Sequence, residues 1–466
     1  MHRRLIAGVT LGGFMLSGGW VRAEPQVPES ATLRASEVSP DLGMPALAWT
    51  KHALGNGFEV VLHRDDRIPM VSVNLWYHTG PVNEPPGRSG FAHLFEHLMF
   101  EGSKHAGRQF DYLLESVGGT NMNGTTNWDR TNYYETVPSE HLELALWLEA
   151  DRMGFMIDSL TQERLDVQRE VVKNERRQSY DNRPYGPSGL KLYDLLFPPG
   201  HPYQGAVIGS MEDLSRASMA DVRAFFARYY APANATLVLA GNFNEAEALA
   251  LVQKHFGTLA PRGPRVARPK PITGNFKAQR VIVKEPVELG RITNAWLTPP
   301  AYGPDEAALE IATRVLASGK ASRLYQALVT TGLANDVSAS LDANELTSVF
   351  EIQATLASGV KLPAVETVLD KELERLAKEG PTPEELKRAK TGLRLSFASQ
   401  LQQLNANGGE GGRAGTLQRL NHYLGDPGAL PRVLQAYGHV TPADVTRVLQ
   451  THLSPNLRAT VVTEPQ

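Results

Sequence analysis

The sequence predicts an α+β fold made of two repeated domains, each with a mainly antiparallel β-sheet packed against α-helices. Three observations lead to this prediction. Asn56-Gly57 lies between two β-prone runs, a pattern typical of a tight hairpin, and a hairpin joins antiparallel strands. Two long helical patterns come later in the same part of the chain, at residues 140–156 and 161–178. The second part of the chain then repeats features of the first at an offset of about 220 residues.

The repeat depends on two widely separated matches. Asn74-Leu75-Trp76 corresponds to Asn294-Ala295-Trp296, and Ser218–Val222 corresponds to Thr441–Val445. The two offsets are 220 and 223 residues. Because they are nearly equal, we expect one domain to have been duplicated with few net insertions.

The domain boundaries follow from composition. Proline and basic residues are frequent at 258–277, which is typical of a linker. We therefore predict a first domain at residues 45–257, this linker, and a second domain at residues 278–466.

The N-terminus has the form of a secretory signal at residues 1–23. Arg3 and Arg4 precede an apolar run, and Val21-Arg22-Ala23 fits a cleavage site. The run is short and rich in glycine, which disfavours a membrane span, so a retained N-terminal anchor is the alternative. Residues 24–44 are predicted to be an extended leader. We expect an exported protein without a transmembrane span in its mature form, periplasmic in a Gram-negative source.

Charge and cysteine content exclude several classes of function. The formal net charge is −3, and removal of residues 1–23 takes away three arginines and no acid, which gives −6. A mildly acidic chain without a basic block is a poor nucleic-acid binder. The chain has no cysteine, which excludes disulfides, thiol catalysis and cysteine metal ligands. Any metal must be held by histidine, aspartate or glutamate.

The elements of the first domain are predicted in chain order from local patterns. Ser89 is expected to cap a helix that runs to about Phe100 before Gly102 ends it. The other elements are strands at 49–54, 58–63, 71–77 and 131–137, a short helix at 109–117, and a polar extended segment at 120–126.

The segment from Phe91 to Phe100 contains the pattern His-x-x-Glu-His. In a helix, His93 and His97 lie one turn apart on the same face, and Glu96 points toward that face. This is the inverted zincin signature, which indicates a divalent-metal site with a general base beside it. The alternative is a pair of core histidines on an apolar helix.

Further segments show a resemblance across essentially the whole mature chain. They are Gly118-Gly119 with Asn123, Asn174-Glu175, His201-Pro202-Tyr203, and Tyr230–Thr236 leading into Leu237–Gly241. Together with His93–His97 they make the sequence resemble the pitrilysin (insulinase) family of zinc peptidases, in its bacterial branch similar to the mitochondrial processing peptidase. The resemblance implies a zinc endopeptidase that cleaves unfolded peptides or small proteins.

The resemblance also implies a third metal ligand, a glutamate some 75 residues after the second histidine. Glu175 is the match, and Glu170 on the same helical pattern is the runner-up, although five residues apart it faces another direction. The family often has an acid seven residues before this ligand, where this chain has Gln168. Gln168 can still hydrogen-bond a ligand.

Two imidazoles and one carboxylate are the ligand set of a catalytic zinc, so we expect one Zn²⁺ per chain, with manganese or cobalt as alternatives. Glu96 is expected to be the general base and not a ligand. The resemblance implies that the segment around Asn123, Gly124 and Thr125 pairs with substrate as an added strand. Gly124 replaces an alanine common in the family, which is expected to loosen this edge.

Laid over the first domain, the second has Thr313, Leu316 and Ala317 at the positions of the motif, so it lacks a metal site. Related enzymes enclose substrate between two such pairs of domains. The resemblance therefore implies a homodimer, or a heterodimer with a related chain lacking the motif. Arg413 and Tyr423 are candidate counterparts of an arginine and a tyrosine that contact substrate in the partner half.

Two alternatives stay open at this stage. The chain could be a non-catalytic scaffold or assembly subunit of the same fold, since the family contains such members. The glycine-rich segment 408–412 imitates a dinucleotide-binding loop in its spacing, but no strand precedes it, so a flexible loop is expected there.

Overall fold

The structure is a computed structural model that describes residues 33–34, 46–270 and 276–466. The predicted signal peptide lies outside the described residues, and so does the predicted leader apart from two residues of a short strand. No helix in the described ranges is long and apolar enough to cross a membrane.

The first half alternates strands with groups of helices. Its strands are β1 (Leu33–Arg34), β2 (Thr50–Ala53), β3 (Glu59–Arg64), β4 (Met70–Tyr77), β5 (Thr120–Thr126), β6 (Thr131–Pro138) and β7 (Ala235–Gly241). Its helices are α1 (Phe91–Leu98), α2 (Phe110–Ser116), α3 (Leu142–Ser159), α4 (Gln162–Arg176), α5 (Gly186–Leu196), α6 (Met211–Arg216), α7 (Met219–Tyr229) and α8 (Glu245–Phe256).

The second half follows the same general order. Its strands are β8 (Gln279–Glu285), β9 (Arg291–Thr298), β10 (Ala334–Asp342), β11 (Ser348–Leu356) and β12 (Ala459–Pro465). Its helices are α9 (Glu306–Ala317), α10 (Leu362–Glu379), α11 (Pro383–Leu401), α12 (Gly412–Leu424), α13 (Leu430–His439) and α14 (Pro442–His452).

The strands form two sheets, and five strands of the first are arranged like the five strands of the second. The first sheet has the order β1-β2-β3-β7-β4-β6-β5, and the second has the order β10-β11-β9-β12-β8. Read in reverse, the second reproduces the last five strands of the first. In each sheet a single pair is parallel, β3 with β7 and β8 with β12, and the other pairs are antiparallel. The predicted α+β class with mainly antiparallel sheets is confirmed.

The predicted hairpin joins β2 and β3. Ala53 pairs with Glu59, and Leu54 and Phe58 close the turn by a backbone hydrogen bond of 2.9 Å. Gly57 has a φ of 85°, a left-handed conformation that glycine adopts without strain. A Cβ at this position would lie 2.7 Å from Cβ of Ala233, so the site also excludes larger residues sterically.

Each half packs a helix onto the sheet of the other half. All residues of β7 are buried: Leu237 and Leu239 join the core of the first half, whereas Val238 and Ala240 join the core of the second. Helix α12 covers this second face, and Gln418 on it donates hydrogen bonds to the carbonyl groups of Asn74 and Thr236. In return α5 packs on β12, β8 and β9. The two halves are therefore tied together by exchanged helices.

The described part of the predicted linker, residues 258–270 and 276–277, contributes packing contacts. Arg262 lies over the ring of Phe226 and donates to the carbonyl oxygen of Met153 at 2.8 Å. Arg268 pairs with Glu345 at 2.7 Å and so connects to the second half. Its basic residues thus hold it against both halves.

Candidate metal centre

The loop before α1 fixes where the motif helix begins. The prediction that Ser89 caps this helix is wrong, because the cap residue is Gly90, with a φ of 86°, and no side chain caps it directly. Ser89 instead donates its backbone N–H and its hydroxyl to Asp213, at 3.0 and 2.6 Å. The carboxylate of Glu84 accepts the backbone N–H groups of Gly90 and Ala92, at 3.0 and 2.8 Å. The N–H groups at the start of α1 were expected to bind a local capping residue. They bind a carboxylate six residues upstream of Gly90 instead.

Helix α1 has two distinct faces. One face packs into the core of the first half through Phe91, Ala92, Leu94, Phe95 and Leu98. The other presents His93 and His97, whose rings lie 4.8 Å apart in an edge-to-face arrangement. The apolar face anchors the helix, and the spacing of four residues then places both imidazoles toward the same neighbour.

That neighbour is Glu175, near the C-terminal end of α4. Its Oε2 lies 3.2 Å from Nε2 of His97 and 3.7 Å from Nε2 of His93. One ligand atom from each of the three residues lies within 4.8 Å of the others, and this is the one such group of three or more in the described part of the chain. A five-residue π-helical segment, Arg177–Asp181, follows directly, a form often found at functional sites.

The three side chains fit a divalent cation. His97 Nε2 and both carboxylate oxygens of Glu175 are buried without a hydrogen-bond partner, and buried polar atoms left in that state are costly. Ligands bound to zinc at about 2.0–2.1 Å in a tetrahedron lie about 3.3 Å from one another. The two N–O distances of 3.2 and 3.7 Å are close to that spacing.

Two of the three side chains, His93 and Glu175, have the charge that a metal site needs. Burial lowers the pKa of His93, which favours the neutral imidazole that a metal needs. Burial alone would also lower the pKa of His97, but the contact with Glu175 and the charge of Glu96 outweigh it and raise that pKa. The pKa of Glu175 is lowered because the two histidines outweigh the effect of its burial. Glu175 therefore carries a negative charge that a cation can neutralise.

Glu96 lies beside the cluster without joining it. Its side chain is buried, and its Oε2 accepts a hydrogen bond from the hydroxyl of Thr126 at 2.7 Å. A Cβ on Gly124 would lie 2.9 Å from Cγ of Glu96, so strand β5 contacts the stem of this side chain closely. The glycine at 124 therefore makes room for Glu96.

Strand β5 forms one edge of the first sheet, where it pairs with β6 on one side only. The predicted substrate-binding residues Asn123, Gly124 and Thr125 all lie on it. Asn123 accepts the backbone N–H of Gly124 with its side chain, at 2.9 Å. Thr125 donates to Asn132 at 2.6 Å. An extended peptide could pair along this edge.

The two candidates for a supporting role at the ligands lie in different surroundings. The amide of Gln168 donates to Glu101 at 2.6 Å, and its hydrogen bonding contributes to the raised pKa of His97, after burial and the effects of Glu175 and Glu96. Glu170 instead faces solvent, with its side chain 58% exposed and paired with Lys173 at 2.6 Å. Glu101 is a carboxylate that the sequence did not point to, and it pairs with Arg108 at 3.1 Å.

Arg413 and Tyr423, the candidate substrate contacts, both lie on α12 between the two halves. Arg413 is buried and pairs with Asp65 at 2.9 Å. The hydroxyl of Tyr423 donates to Asp129 at 3.2 Å, and burial raises its pKa well above the ordinary value. Both side chains have partners within the chain, which argues against direct contact with substrate in this arrangement.

The glycine-rich segment 408–412 is not the flexible loop that we expected. It forms a short 3₁₀ turn at Asn407–Gly409 and the beginning of α12, and its carbonyl groups accept hydrogen bonds from the first half. Helix α11 precedes it, so the strand that a dinucleotide-binding loop requires is not there.

The equivalent of α1 in the second half is α9. Thr313 and Leu316 are buried in it, and Ala317 is its last residue. None of the three can ligate a metal through an imidazole or carboxylate. The sequence missed Thr126, Glu84 and Glu101, because each acts through a contact that no short motif encodes.

Two descriptions of protein families match the chain. "Insulinase (Peptidase family M16)" matches residues 59–185, and "Peptidase M16 inactive domain" matches residues 216–393. The first match contains His93, Glu96, His97 and Glu175. The second covers most of the half that lacks the ligands.

Known proteins resemble the chain over most of its length. The zinc protease PqqE of Helicobacter pylori is 30% identical over 357 residues, which are 75% of this chain and 79% of that protein. Subunit 1 of the mitochondrial cytochrome b-c1 complex of Bos taurus is 25% identical and is aligned over 63% of this chain and 61% of its own.

Solved structures share the fold. A protease from Helicobacter pylori superimposes with a TM-score of 0.82 at 27% identity, covering 90% of this chain and all of that one. The periplasmic protease PqqL from Escherichia coli superimposes with a TM-score of 0.73 at 18% identity, covering 93% of this chain and 48% of that one. The present chain thus has the fold of about half of the latter protein.

Proposed function

Because the chain belongs to the M16 (insulinase) family of peptidases, we propose that it is a zinc-dependent endopeptidase that cleaves unfolded peptides or small proteins. The observation that supports this most strongly is the proximity of His93, His97 and Glu175, with Glu96 beside them. A relative that is 30% identical carries the name zinc protease, which supports zinc as the metal.

The side chains of the site have different roles in the proposed hydrolysis. His93, His97 and Glu175 would hold the zinc ion, and zinc supplies Lewis acidity that polarises a carbonyl group and acidifies water. Glu96 takes the proton from the attacking water and delivers it to the departing amine as the peptide bond breaks. Thr126 donates to Oε2 of Glu96 and so orients the carboxylate.

The edge of β5 is proposed to bind the substrate. A peptide that pairs with β5 as an added strand is held by backbone hydrogen bonds, so the edge tolerates many sequences. Asn123 and Thr125 flank the position of Gly124 against Glu96, which brings a paired peptide close to the base. This places unfolded or extended segments among the substrates and disfavours compact proteins.

A comparison of wild type with Glu96→Gln tests the proposal. Both proteins are loaded with zinc and given a quenched unstructured peptide. We expect the wild type to cleave, and the variant to lose about 10²- to 10⁴-fold in kcat with its zinc content unchanged, because a general base contributes about that much. Equal cleavage by both proteins would reject Glu96 as the base.

A scaffold or assembly role is the second candidate, since a subunit of the cytochrome b-c1 complex is among the similar proteins and the second half matches an inactive domain. No cleavage by the zinc-loaded wild type, alone or with a related chain that lacks the motif, would favour this role. A retained general base beside three ligands is of no use to a scaffold and favours catalysis.

We also propose that the chain works as a homodimer or with a related chain, because it has the fold of about half of PqqL and one edge of its site is open. A mature chain that sediments as a monomer and is fully active would contradict this. Export to the periplasm is proposed from the N-terminal sequence alone. A mature N-terminus at Glu24 in the periplasmic fraction would support it, and an intact Met1 would contradict it.

A further inference from the structure

A loop of the second half crosses three strands of the first, close to Glu96. This loop comprises Asn405–Gly411, and we call it the clamp loop. The carbonyl oxygen of Gly409 accepts a hydrogen bond from Asn74 on β4 at 2.7 Å. That of Gly408 accepts from Asn132 on β6 at 3.0 Å and lies 3.2 Å from the hydroxyl oxygen of Thr125 on β5. Because β4, β6 and β5 are neighbours in the first sheet, the clamp loop connects the edge strand β5 to the interior strands β6 and β4.

An ion pair with a buried arginine strengthens the same contact. Glu410 of the clamp loop binds the guanidinium group of Arg130, which is 3% exposed, and accepts from Asn127 at 2.8 Å. Arg130 in turn donates to the carbonyl oxygen and the hydroxyl of Thr125, at 2.6 and 2.7 Å. Burial raises the pKa of Glu410, but the nearby guanidinium groups of Arg130 and Arg419 outweigh it and hold that pKa below the ordinary value. Glu410 is therefore ionised where it holds Arg130.

The residue after Thr125 reaches the proposed general base. Thr126 donates its hydroxyl to Glu96. Arg130, which Glu410 of the clamp loop holds, donates to the backbone carbonyl of Thr125 and so fixes the chain one residue before this donor. A continuous series of contacts thus leads from Glu410 through Arg130 and Thr125 to Thr126 and Glu96.

Gly409 is packed too closely against the first half to accept a side chain. Its φ is 78°, and a Cβ there would overlap the side-chain amide of Asn132 and lie 2.7 Å from Cδ1 of Tyr134. Gly425 is at the other end of α12 with a similar φ of 70°, but a Cβ there would meet nothing within 4 Å. The two glycines therefore form a matched pair with equal backbone strain and different contacts.

We propose that the clamp loop is a positioning element for Glu96, which gives the half without metal ligands a direct role in hydrolysis. This inference rests on the proposed function. The loop would hold the end of β5, so that the hydroxyl of Thr126 keeps Glu96 aligned with the attacking water. It would act on Glu96 through β5 and Thr126.

The claim that the clamp loop fixes the position of β5 is tested without any activity measurement. Hydrogen–deuterium exchange is measured on zinc-loaded wild type and on the variants Gly409→Ala and Glu410→Gln. Gly425→Ala and Glu285→Gln serve as controls, because Glu285, like Glu410, is a carboxylate bonded across the halves, in its case to Ser188 at 2.8 Å. We expect the amides of 120–134 to exchange faster in the two clamp variants only, with α1 unchanged. Unchanged exchange at 120–134 in both clamp variants would overturn the proposal.

The catalytic part is tested by a double-mutant cycle with Thr126→Val. We expect Gly409→Ala to lower kcat about 10- to 100-fold while the zinc content stays at the wild-type value, because small displacements of a catalytic group cost about that much. In the Thr126→Val background the same change should have a clearly smaller effect, since the donor is already lost. Additive effects would overturn the inference. If the wild type does not cleave at all, the proposed function fails, and the exchange data still decide whether the loop fixes the strand.

Discussion

Glu170 and Glu175 lie on one helix and have opposite surroundings. Glu175 is directed toward His93 and His97, while Glu170 faces solvent beside Lys173. Five residues correspond to about 500° of helical rotation, which explains the difference. The family resemblance pointed to Glu175, helical periodicity predicted only that Glu170 faces another direction, and the distances between side chains agree with both.

Substitution of these two glutamates gives a matched test of the ligand assignment. Glu175→Gln is expected to weaken zinc binding by more than about 100-fold, because loss of a ligand costs more than the 10- to 100-fold typical of an outer contact. Glu170→Gln is expected to bind zinc like the wild type. Competition with a chromogenic chelator at constant pH measures both affinities, and equal affinities for the two variants would contradict the assignment.

At the scale of single residues, the sequence indicated the groups proposed to carry the chemistry more readily than those proposed to position them. His93, Glu96 and His97 form a motif because one helix must present them together. Thr126 and Glu101 reach the same region from β5 and from the loop after α1, and their spacing from the motif follows no periodicity. Contacts of this kind become visible only once the chain is folded.

At the scale of elements, α9, the equivalent of α1 in the second half, carries two buried glutamates. Glu306 and Glu310 lie one turn apart on this helix, and each is 1% exposed. Glu310 pairs with Arg314 at 2.9 Å, and Glu306 accepts the backbone N–H of Tyr302, while one oxygen of each carboxyl group has no partner. Burial raises the pKa of Glu306 to about 8.

The raised pKa of Glu306 predicts a pH-dependent stability. Because an unfolded glutamate ionises near 4.5 and Glu306 keeps its proton up to about 8, the free energy of unfolding falls as the pH rises between these values. From pH 6 to 7.5 one retained proton corresponds to a loss of about 2 kcal/mol. Glu306→Gln should remove this part of the slope, and Glu374→Gln on the exposed face of α10 should leave it unchanged.

Urea unfolding at several pH values measures these slopes. Chelator is present throughout, so that zinc binding does not contribute. Parallel slopes for the wild type and Glu306→Gln would show that this carboxyl group does not hold a proton in the folded protein.

Local patterns predicted elements whose causes are local. The hairpin at Asn56-Gly57 formed as expected because two residues decide the turn. The start of α1 was mispredicted because Glu84, and not the nearby serine, accepts its N–H groups. The segment 408–412 was mispredicted because its partners Asn74, Thr125 and Asn132 are about 275 to 335 residues away in the chain.

At the scale of the whole molecule, the sequence indicated the duplication but not how the two copies pack together. Asn74 and Asn294 occupy the same central strand of their sheets, as the repeat predicted. Sequence similarity between copies carries no information on which helix crosses to which sheet. Both faces of β7 are buried, and α5 and α12 are exchanged, only because the two halves pack against each other.

In the proposed mechanism the first half carries the chemistry, and the exchanged helices connect the second half to it. The ligands and Glu96 all come from the first half. The strand that holds Thr126 is fastened by the clamp loop of the second, which lies directly before α12. We therefore expect the second half to support hydrolysis although it binds no metal.

The central claim is that each chain holds one complete zinc-dependent hydrolytic site. Its most direct test is a titration of metal-free protein with zinc while cleavage of a quenched unstructured peptide is recorded. We predict that the activity rises in proportion to added zinc and reaches its plateau at about one zinc per chain, as expected for a site with a single set of three protein ligands. Cleavage that does not depend on zinc, or no cleavage at a full equivalent of bound zinc, would contradict the claim.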